Sequence, residues 1–299
     1  MKTQNTPVIR FRDRTTGEIC EESVMGNKAL LFAYESALGR TLWSILFGSG
    51  FVSRVMGAYY DSPRSLKAAE SLAAIPGCDP DEAENPLQEY QSFNDFFTRK
   101  LKENARPADM TENVLVSPGD GRLLVFPECQ AEDAIPVKGA KKTVRDLCLG
   151  DVPEGTLSVA VLRLAPVDYH RYHYPCDAVQ KADPAVFSGK YHSVNPIALR
   201  RRPDLFVENT RQVTALASLV FGDMRMIEVG AFGVGTIRQT SSPGEHRKME
   251  EKGMFLFGGS TVILVMQSNT VTFDADLVDA SAQGMETRVK CGMRIAAAR

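Results

Sequence analysis

Histidine is scarce in this chain, and two of its four copies lie close together. The four are His170, His173, His192 and His246. His170 and His173 follow Leu157–Leu164, an apolar run that we predict to be a strand. Because histidine changes its charge near neutral pH, two imidazoles at the end of a strand are typical of an acid–base site. For either histidine, the alternative is a structural role, held by backbone carbonyls and tyrosine hydroxyls.

A metal site is not predicted at this pair. Histidines at i and i+3 would share one face of a helix, but no cysteine or third histidine offers a matching ligand pair for zinc. The six cysteines are scattered, at Cys20, Cys78, Cys129, Cys148, Cys176 and Cys291. We therefore expect no metal, no disulfide framework, and free thiols in a reducing compartment.

The second candidate is Phe257–Val262, which reads Phe-Gly-Gly-Ser-Thr-Val. Alone, a Gly-Gly pair before an apolar run most often marks a bulge or a hairpin corner. The nucleophile elbow of serine hydrolases needs glycine two residues after the serine, where Val262 stands. A phosphate-binding loop needs a longer glycine-rich stretch that ends in lysine. Neither of these two classes of site is therefore indicated at Ser260.

The third candidate is Ser117–Gly121, which contains Asp120. Locally this segment predicts a turn, a structure that aspartate favours. It becomes a candidate site only in combination with a histidine, because a carboxylate that binds one imidazole nitrogen orients the other.

The elements that must position these residues fall into a helical first part and a strand-rich second part. Apolar residues recur at helical spacing over Gly26–Tyr60, and shorter helices are predicted at Ser65–Ala74 and Ser92–Leu101. Beyond Val114, short β-rich runs are punctuated by Gly, Pro and Asp turns. The runs are Leu115–Val116, Arg122–Phe126, Leu157–Leu164, Ser218–Phe221, Met226–Val229, Gly233–Arg238, Met254–Phe257 and Thr261–Met266. This order predicts an α+β protein whose N-terminal helices precede a β-rich, sandwich or barrel-like core.

Composition and charge restrict the organisation and the partners. The acidic, proline-containing segment Asp79–Pro86 has the composition of a linker, so we expect an N-terminal helical region over residues 1–85 and a β-rich domain over residues 86–299. The formal net charge of −2 gives no steering toward nucleic acid, and no nucleic-acid partner is expected. The first residues lack an apolar signal core, from which we expect a cytoplasmic protein.

The uncharged run Thr41–Ser53 raises the question of membrane contact. It is too short to cross a bilayer, which needs about 20 apolar residues. It would suit the membrane interface, with Trp43 at the level of the lipid headgroups and Arg40 and Arg54 near phosphates. From the sequence alone, a helix packed on the protein's own core is the equal alternative. The run Arg200–Arg202 would either meet anionic lipid or lie in a solvated loop.

Taken together and in this order, the three candidate segments resemble the phosphatidylserine decarboxylases, in particular the branch with a Gly-Gly-Ser-Thr motif. The resemblance covers nearly the whole chain. Further matching segments are Ser92–Phe97 with Arg99–Leu101 and Arg106–Pro107, Ser193–Pro196, Glu208–Asn209 with Arg211, Val229–Ala231 with Val234–Gly235, Lys252–Gly253, and Val289–Lys290 with Gly292. Each segment is weak by itself, but the ordered set is specific.

Two positions depart from the pattern of the family that the chain resembles. Gly119 stands where the family usually has alanine, beside Asp120. Ala178 stands where the family usually has glycine. If position 178 requires a positive φ, alanine strains the turn there.

The resemblance implies an enzyme that cleaves itself. Asp120, His173 and Ser260 would form the self-processing triad, and the Ser260 hydroxyl would attack the carbonyl of Gly259. Cleavage would give a β-chain of residues 1–259 and an α-chain of residues 260–299, in which Ser260 has become a pyruvoyl group. That group would form a Schiff base with the amine of phosphatidylserine and act as the electron sink while CO₂ leaves. His170 would serve this second reaction.

The resemblance also implies partners and a location. It favours the interfacial interpretation of Thr41–Ser53, and so a peripheral protein at the cytoplasmic face of the cell membrane. The two chains would stay together as a heterodimer, which would pair into a dimer of heterodimers. Candidate contacts to the lipid headgroup are Ser193, Asn195 and Asn209. Two alternatives stay open, namely a pyruvoyl-dependent decarboxylase of a free amino acid and a catalytically inert membrane-binding homologue.

Overall fold

A computed structural model describes residues 9–22, 50–137, 140–187, 210–230, 237–257 and 260–299 of the chain. Several of the predictions concern residues outside these ranges. Most of the helix predicted over Gly26–Tyr60, most of the run Thr41–Ser53 and all of Arg200–Arg202 lie outside the described residues.

The helices are short, and three of them precede residue 100. They are α1 (Gly50–Tyr60), α2 (Leu66–Ala73), α3 (Phe93–Phe97), α4 (Val144–Leu147) and α5 (Ala275–Ala282). Single 3-10 turns lie at Pro63–Ser65, Pro80–Glu82 and Leu87–Glu89. None of the helices in the described part of the chain has the length and apolar character needed to cross a membrane.

The strands extend from residue 10 to residue 298. In chain order they are β1 (Arg10–Asp13), β2 (Ile19–Glu21), β3 (Val114–Val116), β4 (Gly121–Cys129), β5 (Ala134–Val137), β6 (Ala140–Thr143), β7 (Leu157–Leu164), β8 (Arg171–His173), β9 (Ala178–Gln180), β10 (Ala185–Phe187), β11 (Arg211–Ser218), β12 (Gly222–Gly230), β13 (Ile237–Gln239), β14 (Gly244–His246), β15 (Glu251–Phe255), β16 (Ser260–Gln267), β17 (Val271–Phe273), β18 (Glu286–Val289) and β19 (Arg294–Ala298).

Eleven of these strands form one large sheet. Its order is β14-β9-β11-β12-β16-β7-β4-β18-β1-β2, with β10 pairing on β11. Neighbours are antiparallel except β1 and β18, which run parallel. Within the described residues β14 and β2 pair with no further strand, so this sheet is open and is not a closed barrel. The prediction of an α+β protein with a β-rich core is confirmed.

The central strand β16 is covered on both faces. Val262 and Leu264 pack into one apolar cluster, together with Tyr172 and Phe255 from outside the large sheet. The alternate residues of β16 pack into a second cluster with residues of β7, β11 and β12. A strand that is buried on both faces has apolar residues at successive positions, which explains the nearly continuous apolar run Thr261–Met266.

Two smaller parts complete the site region. A three-stranded sheet in the order β13-β15-β8 carries His173 at the end of β8. Helices α2 and α3 pack in a third cluster, where Phe93 and Phe97 lie with Val167 and the half-buried Phe257. The helical first part of the chain therefore contacts the core at the segment that leads into β16.

One predicted strand is wrong. Ser218–Phe221 is the turn between β11 and β12, in which Ser218 pairs with Gly222. Leu219 and Val220 gave this turn the composition of a strand, although Leu219 is fully exposed. The one local turn marker is Gly222, whose φ of 68° suits glycine. The long strand β11 before the turn was not predicted.

The helix predicted at Ser92–Leu101 is shorter in the structure. Ser92 is its N-cap and accepts a hydrogen bond from the Asp95 amide, as an N-terminal serine should. The helix ends at Phe97, because the chain turns away so that Leu101 can bridge to Ala83. The helix predicted at Ser65–Ala74 is confirmed as α2, whereas α5 was not predicted.

Candidate active site

Ser260 is the first residue of β16, and its side chain has no partner. Its backbone pairs with Gly230 of β12 on one side and with Leu164 of β7 on the other. The residue is 1% exposed, and its hydroxyl makes no hydrogen bond within the described residues. Leaving a buried hydroxyl unpaired costs free energy, so such a group marks either a strained site or one that awaits a reactant.

Asp120 lies at the same edge of the sheet. β4 pairs with β7 from Arg122 opposite Arg163, and this register sets Gly121 opposite Leu164. Gly121 and Ser260 therefore flank Leu164, two strand spacings or roughly 10 Å apart. Glycine is required at 121, because an added Cβ would lie 2.7 Å from the carbonyl oxygen of Arg163.

The carboxylate of Asp120 is held by an arginine and a backbone amide. Arg106 donates from Nε at 2.9 Å and from Nη2 at 2.6 Å, and the Cys291 amide donates at 2.8 Å. Burial alone would lower the pKa of Arg106, but Asp120 and Glu82 outweigh burial and raise the pKa. In this arrangement Asp120 makes no hydrogen bond to either histidine of the 170–173 segment.

His173 is oriented by two other groups. Its Nδ1 lies 2.9 Å from the carbonyl oxygen of Met249, and its Nε2 lies 3.2 Å from the hydroxyl of Tyr169. A carbonyl can only accept, so Nδ1 carries the proton and Nε2 keeps its lone pair. Met249 has a φ of 68°, a left-handed conformation that is uncommon outside glycine and that aims this carbonyl at the ring. Burial lowers the pKa of His173, which favours the neutral ring.

The backbone of His173 ties it to the turn that carries Asp120. Its amide donates to the carbonyl oxygen of Pro118 at 2.8 Å. The Asp120 turn, the end of β8 and the start of β16 thus belong to one edge of the structure.

His170 is fully buried beside the partner strand of Ser260. Its ring stacks on Phe97 with 3.8 Å between the ring centroids, and its Nε2 donates to the carbonyl oxygen of Ala165 at 3.1 Å. Ala165 directly follows Leu164, which pairs with Ser260. The Nδ1 atom has no partner among the described residues. Burial lowers the pKa of His170 to about 3, so the ring is neutral and Nδ1 presents a free lone pair.

The two departures from the family pattern cause no strain. An added Cβ at Gly119 would meet the nearest atoms at 3.6 Å, which is an ordinary contact, so the usual alanine would also fit. Ala178 lies in β9 and is not among the residues with positive φ. The turn strain that alanine would cause at a positive φ is therefore absent at this residue.

Some predicted site residues cannot be located. Gly259 and the headgroup candidates Ser193, Asn195 and Asn209 lie outside the described residues. They stay predictions.

The structure also contains a buried ion pair that was not predicted from the sequence. Lys252 donates to Glu228 at 2.9 Å, and both side chains are fully buried. Glu228 pairs across β12 and β16 with Val262, on the same face of the sheet as Ser260. Burial raises the pKa of Glu228. The available signal was a carboxylate within the otherwise apolar run Met226–Val229, since buried charges are seldom present without a partner.

The fold and this edge define a β-rich protein with a buried serine at a strand end, unpaired among the described residues, and with two buried imidazoles in the segment that follows the neighbouring strand β7. Comparison with known proteins gives the family. The sequence model of the family described as phosphatidylserine decarboxylase matches residues 93–297. The chain belongs to the phosphatidylserine decarboxylase family, a family of carboxy-lyases, and both predictions are confirmed.

Individual relatives match over almost their whole length. The phosphatidylserine decarboxylase proenzyme of Chlamydia trachomatis is 38% identical, over 95% of this chain and 96% of the relative. The proenzyme of Clostridium botulinum is 37% identical, over 96% and 98%. That of Fusobacterium nucleatum is 37% identical, over 96% and 97%.

Proposed function

We propose that this chain is a phosphatidylserine decarboxylase that cleaves itself between Gly259 and Ser260. The observation that carries the proposal is the buried Ser260 hydroxyl, which has no hydrogen-bond partner within the described residues. Other buried hydroxyls, including that of the neighbouring Thr261, also lack a partner within the described residues, and Ser260 differs from them in its position at the proposed cleavage bond. The relatives that the chain resembles are named as proenzymes, which fits a chain that is processed after synthesis.

Self-cleavage requires a base that takes the proton of the Ser260 hydroxyl. We assign this role to Nε2 of His173, because Nδ1–H donates to the Met249 carbonyl and burial favours the neutral ring. Nε2 accepts from the Tyr169 hydroxyl in the structure and would exchange this partner for the Ser260 hydroxyl. The serine oxygen bonds to the carbonyl carbon of Gly259 and the C–N bond breaks, which leaves an ester. Loss of the α-proton of residue 260 then releases the Gly259 carboxylate and leaves dehydroalanine. Water replaces its nitrogen, which departs as ammonia.

Asp120 acts on His173 through its charge in this proposal. Burial lowers the pKa of His173, and the negative charge of Asp120 partly offsets this effect. The same charge stabilises the imidazolium that forms when Ser260 loses its proton. Arg106 fixes the carboxylate and prevents it from moving away from this edge.

The product of cleavage is a pyruvoyl group at residue 260, which supplies an electron sink when a carboxylate leaves an attached amine. The residues at this position fit such a group, because the Ser260 oxygen and Nδ1 of His170 are both buried and both unpaired within the described residues. We assign to His170 the proton that must return to the substrate. A negatively charged substrate beside Nδ1 would raise the low pKa of His170 and allow it to hold that proton.

The proposed substrate places the enzyme at a membrane. Phosphatidylserine would be converted to phosphatidylethanolamine and CO₂, a step of phospholipid biosynthesis. We propose that the region of residues 1–85 carries the contacts to the cytoplasmic face of the membrane and that residues 86–299 carry the reaction. Strands β1 and β2 join the first region to the main sheet. The two chains would remain paired after cleavage, as a heterodimer that dimerises.

Denaturing mass spectrometry of the purified protein tests the cleavage. We expect two fragments, residues 1–259 and residues 260–299, with a pyruvoyl mass at the start of the second. Ser260→Ala should remain a single chain. An intact wild-type chain in natively folded protein would remove the proposed mechanism.

A vesicle assay tests the substrate. Processed protein should release CO₂ from phosphatidylserine vesicles and none from soluble serine. Equal release from both would favour a decarboxylase of a free amino acid. Fragments without CO₂ release from either substrate would leave cleavage standing and exclude the decarboxylase.

A further inference from the structure

The segment that leads into Ser260 is held by a side chain from the N-terminal helices. Asn94 of α3 is 3% exposed, and its Oδ1 accepts a hydrogen bond from the backbone amide of Phe257 at 3.1 Å. Its Nδ2 donates to the carboxylate of Asp61 at 2.8 Å. An amide N–H only donates and a carboxylate only accepts, so these two partners fix the orientation of the Asn94 side chain.

Both ends of the short link to Ser260 are therefore anchored. Phe257 lies beyond the end of β15, and Asn94 provides the partner that strand pairing no longer gives its amide. Ser260 is fixed between β12 and β7. In the sequence these anchors are separated by a span of two residues, Gly258 and Gly259. The carbonyl of Gly259 belongs to this span.

The ring of Phe257 is held by the same helices. It packs against Tyr60, Phe93 and Phe97, with centroid distances of 4.6, 4.7 and 5.4 Å. The backbone of Phe93 is itself fixed, because its amide donates to the Ser65 hydroxyl at 2.9 Å. Backbone and side chain of Phe257 are thus both positioned by α1 to α3.

We propose that Asn94 is a positioning residue for self-cleavage. It anchors the backbone of Phe257, three positions before Ser260 and on the N-terminal side of the bond that is proposed to break. Asp61 holds Asn94 in the required orientation. This inference rests on the proposed cleavage between Gly259 and Ser260. Intramolecular attack depends steeply on alignment, and a displacement of about 1 Å can cost about 100-fold in rate.

The first test compares two variants of the same helix. Full-length protein is made by cell-free translation, and conversion of the intact chain to fragments is followed with time on a denaturing gel. Asn94→Ala should slow cleavage about tenfold or more. Ser92→Ala is the control, because it removes a side-chain hydrogen bond from α3 without a contact to Phe257. It should cleave at close to the wild-type rate, because the hydrogen bond from Phe257 to Asn94 is kept.

The second test exchanges the two partners. Asn94→Asp alone keeps an oxygen that can accept from the Phe257 amide, but it places a second carboxylate against that of Asp61. The two negative charges repel each other, so this variant should cleave slowly. Asn94→Asp combined with Asp61→Asn restores the bond with its donor and acceptor reversed, and cleavage should return near the wild-type rate. A purely structural loss would not be rescued in this way, and the exchange also decides the matter if Asn94→Ala does not fold.

The outcomes separate this inference from the proposed function. If the wild type cleaves and Asn94→Ala keeps pace with it, or if the exchange fails to rescue Asn94→Asp, the positioning role is overturned and the proposed function stands. If Ser92→Ala slows cleavage as much as Asn94→Ala, the effect belongs to helix stability and the inference fails. An uncut wild-type chain would overturn both.

Discussion

The two faces of the main sheet carry opposite kinds of buried polar groups where β7 ends. On one face, Arg163 donates to Glu286 at 3.0 and 2.7 Å and to Glu22 at 3.0 and 2.6 Å. On the other face, one residue further along, Leu164 pairs with Ser260, whose hydroxyl is unpaired within the described residues. The first face has a saturated charge network, and the second has an open site.

The comparison indicates that the face with Arg163 contributes to the stability of the fold and that the face with Ser260 carries the reactive groups. The network on the first face is bidentate to both carboxylates, which is the geometry that compensates for desolvation of buried charges. Burial alone would lower the pKa of Arg163, and the two carboxylates outweigh burial and raise the pKa. Within the described residues, the open face retains two unpaired atoms of reactive groups, Ser260 Oγ and His170 Nδ1, although pairing them would stabilise the fold. The hydroxyl of Thr261, on the face of Arg163, is unpaired as well. We infer that the open face gives up some stability to keep reactive atoms free.

The largest effect is expected on the open face, at His170. His170→Ala should still cleave itself but should lose about 10²- to 10⁴-fold in decarboxylation per pyruvoyl group, the usual contribution of an acid–base residue. The measurement is CO₂ release from phosphatidylserine vesicles, divided by the pyruvoyl content from mass spectrometry. His170→Phe keeps a ring to stack on Phe97 and should show the same loss. Loss of cleavage in both variants would mean that the roles of His170 and His173 are interchanged.

The saturated face should respond in the opposite way. Arg163→Met removes the guanidinium that donates to both Glu22 and Glu286 and leaves Arg122 at 3.5 Å from Glu22, and it should cost about 3–5 kcal/mol of unfolding free energy. Chemical denaturation in the uncut Ser260→Ala background measures this with a single chain. In the processed enzyme, decarboxylation per pyruvoyl group should be unchanged where the protein remains folded. A loss of unfolding free energy below about 1 kcal/mol would show that the ion pairs of Arg163 contribute no more than ordinary surface ion pairs.

A lower pH should reduce the difference in unfolding free energy between the wild type and Arg163→Met. Burial alone would raise the pKa of Glu22, but Arg163 outweighs burial and the pKa is lowered from 4.5. A carboxyl whose folded-state pKa lies below its unfolded value contributes fully above the unfolded value and less as the pH falls through the folded one. The difference in unfolding free energy between wild type and Arg163→Met should therefore narrow as the pH falls toward the lowered pKa of Glu22 and this carboxyl takes up a proton.

Sequence could predict part of the open face, although not its buried pair of Lys252 and Glu228. The strand β7 was predicted from local residue types and has the predicted bounds. The scarcity and clustering of histidine marked His170, whereas Ser260 became a candidate only through the family resemblance. The saturated face was not predicted. In the sequence, Arg163 is a single charged residue within an apolar run. Its partners Glu22 and Glu286 lie 141 and 123 positions away. Such pairings depend on sheet order, which has no local signature.

The same reason explains why the partner of His173 was missed. We expected Asp120 to hold the second imidazole nitrogen, whereas a backbone carbonyl, that of Met249, lies there in the structure. Every residue has a carbonyl, so residue types cannot show which one will face a ring. A positive φ at a methionine is likewise set by the surrounding chain, because glycine would be the local choice.

The smallest effect is expected in the pH dependence of cleavage, and it distinguishes the two histidines. His173 must be neutral to act as a base, so the rate falls as the pH drops through its folded-state pKa. Burial lowers that pKa from 6.5. At pH 6.5 the rate should therefore remain above half of its plateau, whereas an unshifted histidine would have lost half. Asp120→Asn removes a charge that raises the pKa, and should move the acid limb to lower pH. A rate that halves above pH 6.5 would show that another group is the base.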